Sequence, residues 1–161
     1  MSGGVLFENR WEIILMRKIF AAAIFSAVLM ISGMAAASEA EAVKLLNELR
    51  AEVGLPALAW DSQSKLQRAA EVRARELEEK FSHTRPDGTA CFTALDEFGV
   101  RYMACAENIA YGTNLDAAGV IELWRNSPGH YANMTNGGLR KVGLASYRAG
   151  DNVYWVQLFT D

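Results

Sequence analysis

The sequence predicts an α+β fold, a three-layer α-β-α sandwich in which helices cover both faces of a small antiparallel sheet. Apolar residues recur at helical spacing in the first half of the segment that follows residue 37. Residues 141–148 and 153–159 are instead rich in β-branched and aromatic residues, and residues 149–152 between them have the composition of a hairpin turn. The last strand has few polar positions on either face, which indicates a sheet covered on both sides.

Two helices are predicted to begin this domain. Ser38 and Glu41 form a capping box, and the first helix ends before Gly54. Its apolar positions are Ala42, Leu45, Leu46, Leu49 and Val53. Asp61 is the predicted cap of a second helix, which ends near Lys80. The inner face of that helix is Leu66, Ala69, Ala70, Ala74 and Leu77.

The middle of the chain alternates loops with short elements. Residues 81–88 contain Pro and Asp-Gly and are predicted to form a loop, which a short helix follows. Residues 104–111 are predicted to be extended. Asp116 opens another helix, and Ser127 caps a further short turn of helix that begins at Pro128.

Residues 1–37 are predicted to be a signal peptide with an upstream extension, and residues 38–161 a single domain. Nineteen uncharged residues, Ile19 to Ala37, follow a basic Arg17-Lys18 pair and end in three alanines. An uncleaved membrane anchor is the alternative, because a span needs about 20 apolar residues. The basic pair directly follows Met16, so translation starting at Met16 is a further hypothesis. We therefore expect a secreted, extracellular or cell-envelope protein.

The charge of residues 38–161 argues against nucleic acid as a partner. This segment has thirteen basic and seventeen acidic residues, so its net charge is −4. The two signs are interleaved along the chain, and no basic stripe is present. No repeat or linker divides the segment, so we expect one compact unit and a monomer.

The chain has two cysteines, Cys91 and Cys105. In an exported protein a disulfide is favoured over two free thiols, and closing this loop would stabilise the fold by roughly 3 kcal/mol. Two buried, unpaired thiols are the alternative, because the sequence alone does not give the distance between them.

Three residues are candidates for chemistry. His83 and His130 are the two histidines of the chain, and both lie in loops or at helix ends rather than on an apolar stripe. Glu107 lies inside an apolar extended segment, where a buried carboxylate needs a partner such as an imidazole or a metal-bound water. Two unrelated histidines and a solvent-facing glutamate are the alternative.

Four ordered motifs resemble the CAP superfamily of cysteine-rich secretory proteins, antigen 5 and pathogenesis-related proteins, in its short bacterial secreted form. The motifs are His83-Thr84-Arg85-Pro86, Glu107-Asn108-Ile109-Ala110, Trp124 with Ser127 to Met134, and Val142-Gly143-Leu144. The resemblance implies an α-β-α sandwich and an extracellular role. It also implies a cleft in which two histidines and two acidic residues meet, the histidines holding zinc in several members.

Carried over to this chain, the resemblance assigns His83, His130 and Glu107 to that cleft. The glycine before the family's glutamate is Ala106 here. Many members have a second acidic residue after the tryptophan, where this chain has Arg125, Asn126 and Ser127. The implied site is therefore the triad of His83, Glu107 and His130, with Ser127 as a supporting residue.

Three functions follow from this set. In the first, His83 and His130 bind Zn²⁺ weakly and exchangeably, and Glu107 orients a bound water or a ligand; no organic cofactor is expected. In the second, the protein is a metal-assisted hydrolase of peptidase or esterase type, with Glu107 as general base or Ser127 as nucleophile. In the third, it is an extracellular binding module for a lipid, a wall fragment or a protein, with a rim of Tyr131, Tyr111 and Arg85. The prediction is a metal-binding extracellular module, with the hydrolase as the alternative.

Overall fold

The computed structural model describes residues 14, 16–19, 21 and 38–161. The chain divides into two compact units, Met1–Met34 and Ala35–Asp161. Apart from a few helical positions, the predicted signal peptide lies outside the described residues, and so does its cleavage point. Within the described part, no helix is both long enough and apolar enough to cross a membrane.

Three antiparallel strands form the centre of the second unit. They are β1 (Cys105–Thr113), β2 (Lys141–Ala149) and β3 (Asn152–Thr160), in the order β1-β3-β2. The hairpin turn between β2 and β3 includes Gly150, whose φ is +59°, a conformation that glycine adopts without a steric penalty. The strand order places β3 in the centre and makes β1 and β2 the edge strands.

Helices cover both faces of the sheet, which confirms the predicted sandwich. Helix α1 (38–52), α4 (Ala117–Arg125) and α5 (Pro128–Met134) share one hydrophobic core with one face. Helices α2 (Lys65–Glu79) and α3 (Thr93–Glu97) pack on the other. Side chains of β3 alternate between the layers, because Trp155 belongs to the first core and Val156 to the second. This two-sided burial explains the scarcity of polar positions in β3.

Helix α2 crosses the sheet in close contact with it. At Gly143 of β2 an added Cβ would lie 2.4 Å from the Leu66 carbonyl oxygen, so glycine is required for this approach. Two turns further on, Arg73 reaches Glu107 on β1. The helix thus spans the sheet from one edge strand to the other.

Two local predictions are corrected by the structure. Helix α2 is capped by Ser64, whose Oγ accepts from the Gln67 N–H at 3.0 Å, while Asp61 accepts from Gln63 in the preceding turn. The predicted disulfide is absent: Cys91 and Cys105 are free thiols. Cys91 is buried beside Glu107, whereas Cys105 packs against the apolar cluster under α2 and α3.

Candidate functional site

Glu107 of β1 is buried and paired with Arg73 of α2. Arg73 Nε donates to Oε2 at 2.9 Å and Nη2 to Oε1 at 3.4 Å, and the two side chains are 0% and 1% exposed. A carboxylate on the inward face of a strand needs such a partner, because an unpaired buried charge is prohibitively costly. The Arg73 guanidinium therefore balances the charge of the Glu107 carboxylate and holds it in one orientation.

His83 approaches the same carboxylate from the loop after α2. Its Nδ1 lies 2.8 Å from Glu107 Oε1, and its side chain is 58% exposed. Because an ionised carboxylate only accepts hydrogen bonds, Nδ1 must carry the proton, which leaves the lone pair of a neutral ring on Nε2. The hydrogen bond to Glu107 raises the pKa of His83 above its ordinary value.

A network of ion pairs fixes the loop that carries His83. Arg73 also donates to Glu76 at 2.7 Å and to the Ser82 carbonyl at 2.9 Å. Arg85 donates to Glu76 at 2.6 Å and to Glu97 of α3 at 2.5 Å. Burial alone would raise the pKa of Glu76, but the hydrogen bonds from both arginines outweigh burial and lower it. The loop is thus anchored to both helices of its layer.

His130 enters from the opposite layer, on α5. Asn108 of β1 donates to the His130 carbonyl at 3.1 Å and accepts from Asn133 at 2.8 Å, which fixes α5 against the sheet. Burial lowers the pKa of His130, and the charge of His83 lowers it further. Both effects favour the neutral form of His130.

Cys91 joins the group on the His83 side. Ligand atoms of His83, Cys91 and Glu107 all lie within 4.8 Å of one another; His130 is not a member of this three-residue set. Burial, and then the charge of Glu107, raise the pKa of the Cys91 thiol to about 12. The thiol is thus protonated while no cation is bound.

The structure changes the place of two other predicted residues. Arg85, expected on the rim, is 5% exposed and belongs to the ion-pair network with Glu76 and Glu97. Ser127 is the N-cap residue of α5, but its side chain makes no capping hydrogen bond.

Arg73 is a site residue that was not predicted from the sequence. A signal for it exists: Arg73 falls on the apolar stripe of α2, between Ala70 and Ala74. A charged residue at a core position of a helix indicates a buried ionic partner on the facing element.

Comparison with known proteins agrees with this architecture. The model of the CAP family, described as the cysteine-rich secretory protein family, matches residues 43–159. An uncharacterised membrane protein of Bacillus subtilis, YlbC, is 31% identical over 127 residues, which are 76% of this chain and 34% of that protein. The chain thus spans about a third of this relative.

Solved structures have the same fold. An extracellular Bacillus anthracis protein containing an SCP domain has a TM-score of 0.71 at 25% identity, over 78% of this chain and 41% of that one. The structure of NaASP2 with Zn²⁺ has a TM-score of 0.55 at 16% identity, over 76% of this chain and 78% of that one. The second likeness concerns the fold alone.

Proposed function

The chain belongs to the CAP family of cysteine-rich secretory proteins, and we propose that it is an exported binding module that holds a divalent transition metal between His83 and His130. The hydrogen bond between His83 Nδ1 and Glu107 Oε1 at 2.8 Å carries this proposal. A carboxylate that fixes the tautomer of a histidine is the usual second partner of a metal-binding imidazole.

The donor set fits a transition metal. The Nε2 lone pair of His83 is left available by the bond to Glu107, and the lowered pKa of His130 favours its neutral, ligating form. Neutral imidazole nitrogen suits zinc and neighbouring ions better than Mg²⁺ or Ca²⁺. NaASP2, which has the same fold, has a crystal structure with Zn²⁺, and this supports zinc as the first ion to test.

The geometry favours binding over hydrolysis. The Glu107 side chain is 1% exposed, and both of its oxygens accept hydrogen bonds from Arg73. A general base must reach the proton that it removes, and this carboxylate faces its protein partners instead. A bound metal would supply Lewis acidity, while Glu107 and Arg73 would orient His83.

Export is part of the proposal. The charge-free stretch from Ile19 to Ala37 after a basic pair favours a signal peptide, and the Bacillus anthracis relative is described as extracellular. We therefore expect the ligand, whether lipid, wall fragment or protein, outside the cytoplasm.

Zinc titration against a chromophoric chelator tests the site. We expect His83→Ala and His130→Ala each to weaken the Kd for Zn²⁺ by about tenfold or more. Thr84→Ala, an exposed neighbour of His83, is the matched control and should bind like the wild type. Unchanged affinity in His83→Ala contradicts the site, and unchanged affinity in His130→Ala contradicts the two-histidine arrangement.

A further inference from the structure

Cys91 lies beside the proposed metal site, yet the two-histidine arrangement makes no use of it. Its side chain is buried, and its sulfur is within 4.8 Å of ligand atoms of both His83 and Glu107. We propose that Cys91 Sγ is a further protein ligand, so that the site of this chain is a mixed thiolate and imidazole centre. This inference rests on the proposed function, because it concerns the same bound ion.

The loop geometry places Cys91 opposite His83. The Cys91 N–H donates to the His83 carbonyl at 3.0 Å, and Arg85 N–H donates to the Thr89 carbonyl at 2.8 Å. An isolated antiparallel bridge joins Thr84 to Ala90 between these bonds. The loop thus doubles back as a narrow hairpin that keeps His83 and Cys91 facing each other.

Anchoring of this hairpin makes the pair rigid. Arg85, inside the hairpin, is bonded to Glu76 of α2 and to Glu97 of α3, and Arg73 holds the Ser82 carbonyl next to His83. Two ligands fixed before the ion arrives lose little conformational entropy when they bind it.

The charges around the site also favour a cation with a thiolate. The guanidinium groups of Arg73 and Arg85 pair with the carboxylates of Glu76 and Glu107. Arg85 also pairs with Glu97, whose side chain is 52% exposed to solvent. The inner part of this network is therefore neutral, and an ionised Cys91 would offset one of the two charges that a divalent ion brings. The thiol proton leaves to solvent as the sulfur lone pair binds the ion.

A thiolate ligand has consequences for metal choice. Two imidazoles are fewer protein ligands than the three usual in zinc sites, and Cys91 supplies the third. Thiolate also favours Zn²⁺, Co²⁺ and Cd²⁺ over Mg²⁺, Ca²⁺ and Mn²⁺.

Co²⁺ titration of the reduced full chain tests the role of Cys91. A thiolate bound to Co²⁺ gives a sulfur-to-metal charge-transfer band in the near ultraviolet, which imidazole ligands do not give. We expect this band in the wild type and its loss in Cys91→Ser, with a Co²⁺ Kd weakened by about tenfold or more. Cys105→Ser is the matched control and should keep both the band and the affinity.

The outcomes separate the two proposals. One outcome overturns the role of Cys91 and leaves the histidine site standing. In it, Co²⁺ binds without a charge-transfer band, His83→Ala abolishes the binding, and Cys91→Ser binds with the affinity of the wild type. If no metal binds at all, both proposals are overturned. If Cys105→Ser removes the charge-transfer band, the thiolate ligand is Cys105, and the role of Cys91 is overturned. Should Cys91→Ser not fold, alkylation of the wild type followed by mass spectrometry decides: Zn²⁺ protecting Cys91 supports the proposal, and unchanged labelling of Cys91 overturns it.

Discussion

At the scale of single residues, the ion pair of Arg73 and Glu107 decides the electrostatics of the site. Both side chains are fully buried, so each cancels a charge that the interior would otherwise not accept. Their bond also sets the orientation of the oxygen that His83 contacts. Stability and ligand geometry therefore depend on the same guanidinium.

Arg73→Met tests this dependence. Because the substitution leaves Glu107 buried without its cation, we expect the free energy of unfolding to fall by about 3–5 kcal/mol. Arg75→Met, at an exposed position of the same helix, should change it by less than about 0.5 kcal/mol. Denaturant unfolding measures both, and similar values for the two variants would contradict the buried pair.

Glu39 gives the fold a dependence on pH. Its carboxyl accepts from the Ser146 N–H at 2.9 Å and from Gln67 at 3.2 Å, and burial raises its pKa from 4.5 to about 7. The charge of Glu71 adds to this rise. Since the folded state holds the proton more tightly than the unfolded chain, the stabilisation is complete below pH 4.5 and is lost as the pH rises through about 7.

Glu39→Gln should remove this dependence. Relative to the variant, we expect the wild type to lose on the order of 1–3 kcal/mol of unfolding free energy as the pH rises from below 4.5 to above 7. Glu41→Gln, at an exposed position of the same helix, should keep the wild-type dependence. Parallel unfolding curves of wild type and Glu39→Gln across this range would rule out the assignment.

Residue types predicted part of the site. His83 and Glu107 were proposed from chemistry and from the resemblance, and the structure brings these two into contact. Arg73 and Cys91 were not placed there, because their roles depend on which strand faces α2 and on how the loop after α2 folds back. Those distances follow from tertiary packing, which no local pattern encodes.

At the scale of elements, the approach of α2 to β2 is the tightest constraint. The Leu66 carbonyl occupies the space that a side chain at position 143 would need. We expect Gly143→Ala to lower the free energy of unfolding by about 1–3 kcal/mol, because helix and strand must separate to admit the methyl group.

Gly129→Ala is the control for this prediction. Its added Cβ meets no atom within 4 Å, so thermal unfolding should match the wild type. Equal melting temperatures of the Gly143 and Gly129 variants would show that α2 does not press on β2 as described.

Element boundaries were predicted best where two signals coincide. The strands β2 and β3 agree within two residues, because hydrophobic composition and a glycine turn mark the same limits. The start of α2 was misplaced, because Asp61 and Ser64 are both good capping residues before the same apolar stripe. Choosing between them depends on the turn that Asp61 makes with Gln63.

At the scale of the whole molecule, the sheet and its two layers hold together without a covalent link between Cys91 and Cys105. We expect two free thiols when the unreduced protein is denatured, and no change in melting temperature on adding a reductant. In the native protein, half-exposed Cys105 should react with a thiol reagent faster than buried Cys91. Absence of free thiols in the denatured protein would contradict this expectation.

The arrangement of helices on both faces of the sheet was predictable from the sequence. The helical periodicity of the apolar residues and a last strand that is apolar on both faces permit few other arrangements. The resemblance assigned His83 and His130 to one cleft, but their places in opposite layers of the sheet depend on tertiary packing, which the sequence pattern does not give.

The edge strand β1 has a consequence for how the domain can change by insertion or deletion. Glu107 faces the layer of His83 and its neighbour Asn108 the layer of His130, since consecutive strand residues point to opposite faces. Inserting or deleting one residue in β1 before Glu107 would exchange the two faces of the strand. Glu107 would then face the layer of His130, and Asn108 the layer of His83. A change of two residues preserves this parity, so the alternation of faces excludes single-residue changes within β1 and places no such limit on the loops that flank the strand.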